Sequence, residues 1–212
     1  MNPYDKLLSQ AGSDPAHVRA LYDEWAGDYD RTLADWGYEA PVVAAGRLRA
    51  MRGGDVGTAV VLDAGCGTGL TGQALRAAGF AIIDGVDLSE ESLALAAATG
   101  VYRTLRPLDF TALLSPLAAG SYDAVFCVGV MSYLPDTAAV VREFCRLTRS
   151  GAAIVLTQRS DLFEERGDAG ALAALEAEGV LRIEGITEPM PYLPGNPEFD
   201  GIGVRYCSVR RV

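Results

Sequence analysis

Histidine is almost missing from this chain of 212 residues: His17 is the only one. Cysteine is scarce too, and Cys66, Cys127, Cys145 and Cys207 form no C-x-x-C pair. These shortages exclude a zinc framework and a disulfide scaffold, so no metal is expected. The thiols read as packing residues of a reducing cytosol, with Cys66 set apart because it lies inside a glycine turn. Basic charge is also short. Lys and Arg number 18 against 28 Asp and Glu, for a net charge of −10. Polyanion binding depends on basic side chains that release counterions, so nucleic acid and anionic membranes are not expected partners. The acidity reads as solubility. No apolar run reaches the ~18 residues of a membrane span. Met1 to Lys6 lacks the basic and apolar regions of a secretory leader. A cytoplasmic protein is the expectation.

What the chain does have is glycine in one telling place. Val60-Val61-Leu62-Asp63 is a β-branched, apolar run that ends in an acid. Gly65, Gly67 and Gly69 then alternate with Ala64, Cys66 and Thr68, and a helical pattern begins at Leu70. A strand–glycine turn–helix unit brings backbone close to a ligand because no Cβ blocks the approach. Gly67, Gly69 and Gly72 also match the dinucleotide pattern G-x-G-x-x-G, a weak signal by itself. Chemistry separates the two ligands. A dinucleotide sets its pyrophosphate on this turn, and the Asp63 carboxylate repels it. S-adenosylmethionine carries an ammonium and a sulfonium, which suit that carboxylate. The methionine-type cofactor is therefore the expectation, with a nicotinamide or flavin cofactor, or a purely structural turn, as alternatives.

Strands and helices alternate along the rest. Helix is expected over 14–35, where Asp14 caps, Pro15 starts, and Val18, Leu21, Tyr22, Trp25 and Tyr29 recur at helical spacing. A second helix is expected over 40–51. Strand 59–63, helix 69–78, strand 80–87, helix 89–98 and a short strand near 101–105 follow. Residues 122–128 read as a buried strand, mostly apolar as parallel strands are. Helix 137–149, strand 152–157 and helix 168–178 come next, with two last strands at 180–187 and 203–209. Such alternation implies a parallel, doubly wound sheet.

These residues resemble a known family. Leu62-Asp63-Ala64-Gly65-Cys66-Gly67-Thr68-Gly69 is similar to motif I of class I S-adenosylmethionine-dependent methyltransferases. Gly85-Val86-Asp87-Leu88-Ser89 resembles the acidic strand end that follows it, and Tyr122-Asp123-Ala124-Val125 the fourth-strand motif. Leu108-Asp109-Phe110 occupies the place of the adenine-side loop. The N-terminal Tyr22-x-x-Trp25-Ala26-x-x-Tyr29-Asp30, with Asp35-Trp36-Gly37-Tyr38, is similar to a narrower group, the methyltransferase-like proteins of the Williams–Beuren-region type. The resemblance implies a Rossmann-like α/β fold: a doubly wound seven-stranded sheet, its last strand antiparallel, beneath an N-terminal helical cap. It implies one domain over 1–212, with the cap at 1–52 and the core at 59–212.

Cofactor contacts are expected from Asp63, Gly65, Cys66, Gly67, Thr68 and Gly69 on the turn, and from Val128 after the fourth strand. Asp87 ends the second strand, where a carboxylate accepts both ribose hydroxyls. Leu88 is expected to pack on the adenine, Asp109 to accept from its amino group, and Phe110 to wall the ring. The family places the N-terminal helix over the cofactor, which brings in Tyr22 and Tyr29. His17, on that helix, reads as a solvated surface residue. Many relatives have Glu-His where this chain has Ser132-Tyr133, so the usual imidazole base is missing. On the acceptor side Tyr133 is expected to orient a substrate. Arg159 is expected either to grip a substrate carboxylate as a fork or to form a surface ion pair. Tyr192 sits in the proline-rich stretch 188–200, which reads as a stiff substrate lid. The expected function is methyl transfer from S-adenosylmethionine to an O, N or S atom of a small molecule. A cofactor-binding module without catalysis and a nicotinamide-dependent oxidoreductase are the alternatives.

Overall fold

The computed structural model describes residues 30–109 and 117–212. His17, Tyr22, Trp25, Tyr29 and Phe110 lie outside the described residues. Residues 30–35 are helical and lead through a turn to α1 (Ala40–Arg52). Then come β1 (Val60–Ala64), α2 (Leu70–Ala77), β2 (Ile82–Asp87), α3 (Glu90–Ala98), β3 (Thr104–Pro107) and β4 (Tyr122–Cys127). A 3-10 turn (Met131–Tyr133) leads to α4 (Thr137–Leu147), β5 (Thr148–Arg159), α5 (Ser160–Glu165) and α6 (Asp168–Ala177). The chain finishes with β6 (Leu181–Ile186), β7 (Met190–Pro191), a 3-10 turn (Pro197–Phe199) and β8 (Gly203–Arg211).

The strands form one sheet in the order β3-β2-β1-β4-β5-β8-β6. The first five are parallel, and β8 runs antiparallel to both β5 and β6. β1 is central, so consecutive residues face opposite layers. Leu62, Val125 and Ile154 enter one core with Phe144 of α4 and Leu172 of α6. Val61, Ala124 and Ala153 enter the other with Leu48 of α1 and Leu75 of α2. Two buried faces explain why these strands read as continuous apolar runs. One polar exception is Asp123, whose carboxylate accepts the leading amide of β1 from Val60 at 2.9 Å and pairs with Arg149.

The expected Rossmann-like fold with an antiparallel last strand is present, with corrections in detail. The sheet has eight strands, because Met190 and Pro191 in the expected loop pair with Val204 and Gly203. β5 begins at Thr148, directly after α4, which stops at Leu147 and not at 149. Thr148 turns its hydroxyl back to the Phe144 carbonyl at 2.9 Å, and a bulge lets β5 regain register at Ala153. β2 starts at Ile82 and β3 at Thr104, each later than the apolar pattern suggested. The short α5 was not foreseen. Among the described residues no helix is long and apolar enough to cross a membrane.

Gly85 shows why β2 carries a glycine mid-strand. A Cβ there would come within 2.7 Å of Leu105, and within 2.9 Å of Cys66 Sγ and of the Tyr102 ring. Gly85→Ala is therefore expected to destabilise the fold by about 1–3 kcal/mol in urea unfolding, the usual cost of overpacking. Gly185→Ala on β6 meets nothing within 4 Å and is the control, expected to change stability little.

Candidate functional site

The glycine turn leaves β1 and enters α2 with Gly65, Gly67 and Gly69 all at positive φ, at 80°, 51° and 102°. Those backbone angles suit glycine, and space demands it as well. A Cβ on Gly65 would lie 2.1 Å from Val130. The turn's amides are already engaged. Gly65 and Cys66 donate to the Val86 carbonyl at 2.8 and 3.0 Å, and Gly69 donates to Cys66 at 3.0 Å. Gly67 donates to Asp87 Oδ2 at 2.8 Å, and Ser89 donates to Asp87 Oδ1 at 3.0 Å. Two backbone donors thus aim Asp87 at the mouth of the turn.

Beneath the turn lies Asp63, fully buried. Its Oδ2 accepts the Thr71 hydroxyl and the Tyr102 hydroxyl, each at 2.8 Å. Tyr102 in turn accepts the Gly72 amide at 3.0 Å. The other oxygen, Oδ1, is buried without a hydrogen-bond partner. Burial pushes the Asp63 carboxyl up from 3.8 to about 7, against the two hydroxyl bonds that pull it down, and the nearby Asp87 adds to the rise. Burial also pushes the Cys66 thiol well above its ordinary value, with Asp63 and Asp87 adding to it. Cys66 is a neutral packing thiol.

A cavity opens above the turn. Gly65, Cys66, Gly67, Thr68, Leu70 and Thr71 form its floor, Val128, Gly129 and Val130 one wall, and Leu33, Tyr38 and Pro41 the roof. The roof is tied down, since the Thr68 hydroxyl donates to Asp30. Leu88 is half-buried beside Asp87, and Asp109 follows β3, just after Leu108 donates to the Asp87 carbonyl at 2.8 Å. Of the expected cofactor positions, Gly65, Cys66, Gly67, Thr68 and Val128 line this cavity, Asp87 is bonded to the Gly67 amide beside it, and Asp63 lies beneath the turn.

The acceptor-side residues gather at the same sheet edge. β6 and β5 run the same way, so the segment after β6 leaves where Arg159 ends β5. Tyr192 packs edge-on against Tyr38 at 5.8 Å and against Phe199 at 5.6 Å. Burial pushes the Tyr192 hydroxyl well up, with Tyr133, Arg159 and Asp161 close enough to act on it electrostatically. Arg166 donates to the carbonyls of Met131, Ser132 and Leu134 and so clamps the turn that carries Tyr133. At Arg159 the structure shows an ion pair, the alternative to a substrate fork. Its fork is filled by Asp161, at 3.1 Å from Nε and 2.6 Å from the terminal nitrogen. Among the described residues, no group of three His, Cys, Asp or Glu is placed to hold a metal ion.

Several contributors were not singled out from the sequence. Tyr102 was read only as a strand residue, because its partners Asp63 and Gly72 are 39 and 30 residues away. Asp161 was visible in principle as an acid two residues beyond Arg159. Tyr38 appeared only within the family resemblance, with no role.

Residues 62–156 match the sequence profile of a family described as "Methyltransferase domain". The chain is 36% identical over 148 residues to methyltransferase-like protein 27 of Homo sapiens, covering 70% of this chain and 60% of that protein. It is 33% identical over 127 residues to the ubiquinone biosynthesis O-methyltransferase of Bordetella pertussis, covering 58% of this chain and 50% of that one. The chain thus spans only half to three fifths of these relatives. Its fold is similar to that of an S-adenosylmethionine dependent methyltransferase from Mesorhizobium loti, with a TM-score of 0.60 at 21% identity over 78% of this chain and 96% of that one.

Two outcomes follow from this geometry. The Asp63 carboxyl is raised in the fold, so its contribution to stability is full at acid pH and is lost as pH rises toward 7. Relative to Asp63→Asn, the wild type should lose about 1.4 kcal/mol of stability per pH unit between pH 5 and 7, then level off. A pH series of urea unfolding reads this, and parallel curves for the two proteins would contradict it. Asp87→Ala should weaken S-adenosylhomocysteine binding by about 1–3 kcal/mol in calorimetry, through lost charge-assisted hydrogen bonds. An affinity within twofold of the parent would remove Asp87 from the site.

Proposed function

We propose that this chain, whose residues 62–156 match a family described as a methyltransferase domain, is a class I S-adenosylmethionine-dependent methyltransferase that transfers a methyl group to an O, N or S atom of a small-molecule acceptor. The observation that carries the cofactor side is the Gly67 amide given to the Asp87 carboxylate at 2.8 Å. A pyrophosphate seated on this turn needs such amides free, whereas a strand-end acid like Asp87 suits the ribose of either cofactor. Here the engaged amides and the paired acids, Asp63 below and Asp87 in front, favour a cationic ligand bearing a ribose. The nicotinamide alternative has only the spacing of Gly67, Gly69 and Gly72 behind it, and Gly72 is covered by Tyr102.

The residues present suit this cofactor. Asp63 Oδ1 is an unpaired buried acceptor, and the glycine floor admits close approach. Asp87 would hold the ribose hydroxyls, Leu88 and Asp109 the adenine, and the turn with Val128 the methionine end. S-adenosylmethionine, when bound, supplies an electrophilic methyl on a sulfonium. The chain's part is to hold an acceptor in line with that methyl, and positioning of this kind is worth about 7–11 kcal/mol. Tyr133, Tyr192 and Arg159 surround the acceptor in this proposal. Their grouping under Tyr38 and the 188–200 segment supports an enclosed, small acceptor. So does the net charge of −10, which disfavours polyanions. The name of the Bordetella pertussis relative, a ubiquinone biosynthesis O-methyltransferase, points the same way.

Calorimetry is the first test: S-adenosylhomocysteine should bind at micromolar level and NADH should not. Tight NADH binding with none for S-adenosylhomocysteine would overturn the assignment. Turnover follows, as S-adenosylhomocysteine release in the presence of a metabolite pool. Tyr133→Phe and Tyr192→Phe should lower that turnover at least tenfold while changing S-adenosylhomocysteine affinity less than twofold.

A further inference from the structure

Arg159 is the cation that ends β5 at the acceptor edge, and its surroundings define what it can recognise. Only 12% of its side chain is exposed, and its guanidinium lies 5.7 Å over the Phe199 ring. Phe199 meets Tyr192, and Tyr192 meets Tyr38, which roofs the cavity above the glycine turn. The arginine thus stacks on one end of a packed aromatic cluster whose other end, Tyr38, lines the cavity. Its bidentate face is taken by Asp161, the first-turn acid of α5, with contacts at 3.1 and 2.6 Å. Such a fork-to-carboxylate pairing is the strong, directional kind. The two groups are also tethered two residues apart. A carboxylate arriving on a ligand competes with one held at the high effective concentration that a short tether gives.

We propose that Asp161 is a specificity-determining residue: by occupying Arg159 it excludes acceptors that carry a carboxylate and favours acceptors that are uncharged there. The proposal rests on the methyltransferase reading above. It sets aside the reading in which Arg159 grips a substrate carboxylate, because the chain's own carboxylate already fills the fork.

The test uses the full chain saturated with S-adenosylhomocysteine, with benzoate and benzaldehyde as probes in calorimetry. Bound S-adenosylhomocysteine is the fold control in every variant. The wild type should bind benzoate at least tenfold more weakly than Asp161→Asn does, since the variant frees the fork. Asp161→Glu keeps the charge and should restore the exclusion. Benzaldehyde affinity should change far less than benzoate affinity across the series. If Asp161→Asn fails to fold, Asp161→Ser serves in its place. Equal benzoate affinity in wild type and variant, or no benzoate binding to the variant, overturns the role of Asp161. Absence of S-adenosylhomocysteine binding to the wild type overturns the methyltransferase reading instead, and the two failures are distinct.

Discussion

A carboxylate stripped of water sits at the centre of this domain, and the ligand edge of the sheet is arranged around it. Burying a charge without partners is costly, so Asp63 draws hydroxyls from two directions: Thr71 from the first turn of α2 and Tyr102 from the approach to β3. Those two bonds fix the helix and the neighbouring strand relative to the end of β1. Tyr102 passes the constraint on by accepting the Gly72 amide. Room for its ring is made by Gly72 and Gly85, where a Cβ would come within 2.3 and 2.9 Å of it. The glycines of this region therefore serve two ends. Some shape the turn, and others make space for the aromatic ring beneath it.

The layout of the sheet was legible because the central strands are largely apolar and alternate with helical spacing, and the caps seen in the structure fit those helix starts. Asp136 caps α4 by accepting the Ala139 amide at 2.9 Å, and Ser89 caps α3 by accepting the Ser92 amide at 3.0 Å. What was not legible came from pairing between distant segments. No local pattern announces that Met190 and Pro191 will add to β8, or that β5 will run straight out of α4 through a bulge. Strand edges are decided by which neighbour offers a ladder, and that information lies tens of residues away.

The site divides in the same way. The turn residues and Asp87 could be named from the sequence, since each lies in a short local pattern at a strand end. The partners that hold them in place could not. Tyr102 looks like any strand aromatic until Asp63 is set against it. Arg159 looks like a substrate fork until α5 folds back and fills it with Asp161. The lesson is physical: a motif shows which groups are present, but whether a charge is available depends on what the fold places within 3 Å of it.

The segment from 30 to 38 is bonded in two directions. Asp30 accepts from Thr68 on the cofactor turn, while the Trp36 carbonyl accepts the Gly195 amide at 3.0 Å. Gly195 lies so close that a Cβ would meet the Asp35 carbonyl oxygen at 2.9 Å. One strip of chain thus belongs to both halves of the site, and neither half can move it without altering the bonds made by the other. Free-energy coupling of this kind is reciprocal. Whatever occupancy of the turn does to the hold on the 188–200 segment, occupancy under that segment does to the turn by the same factor.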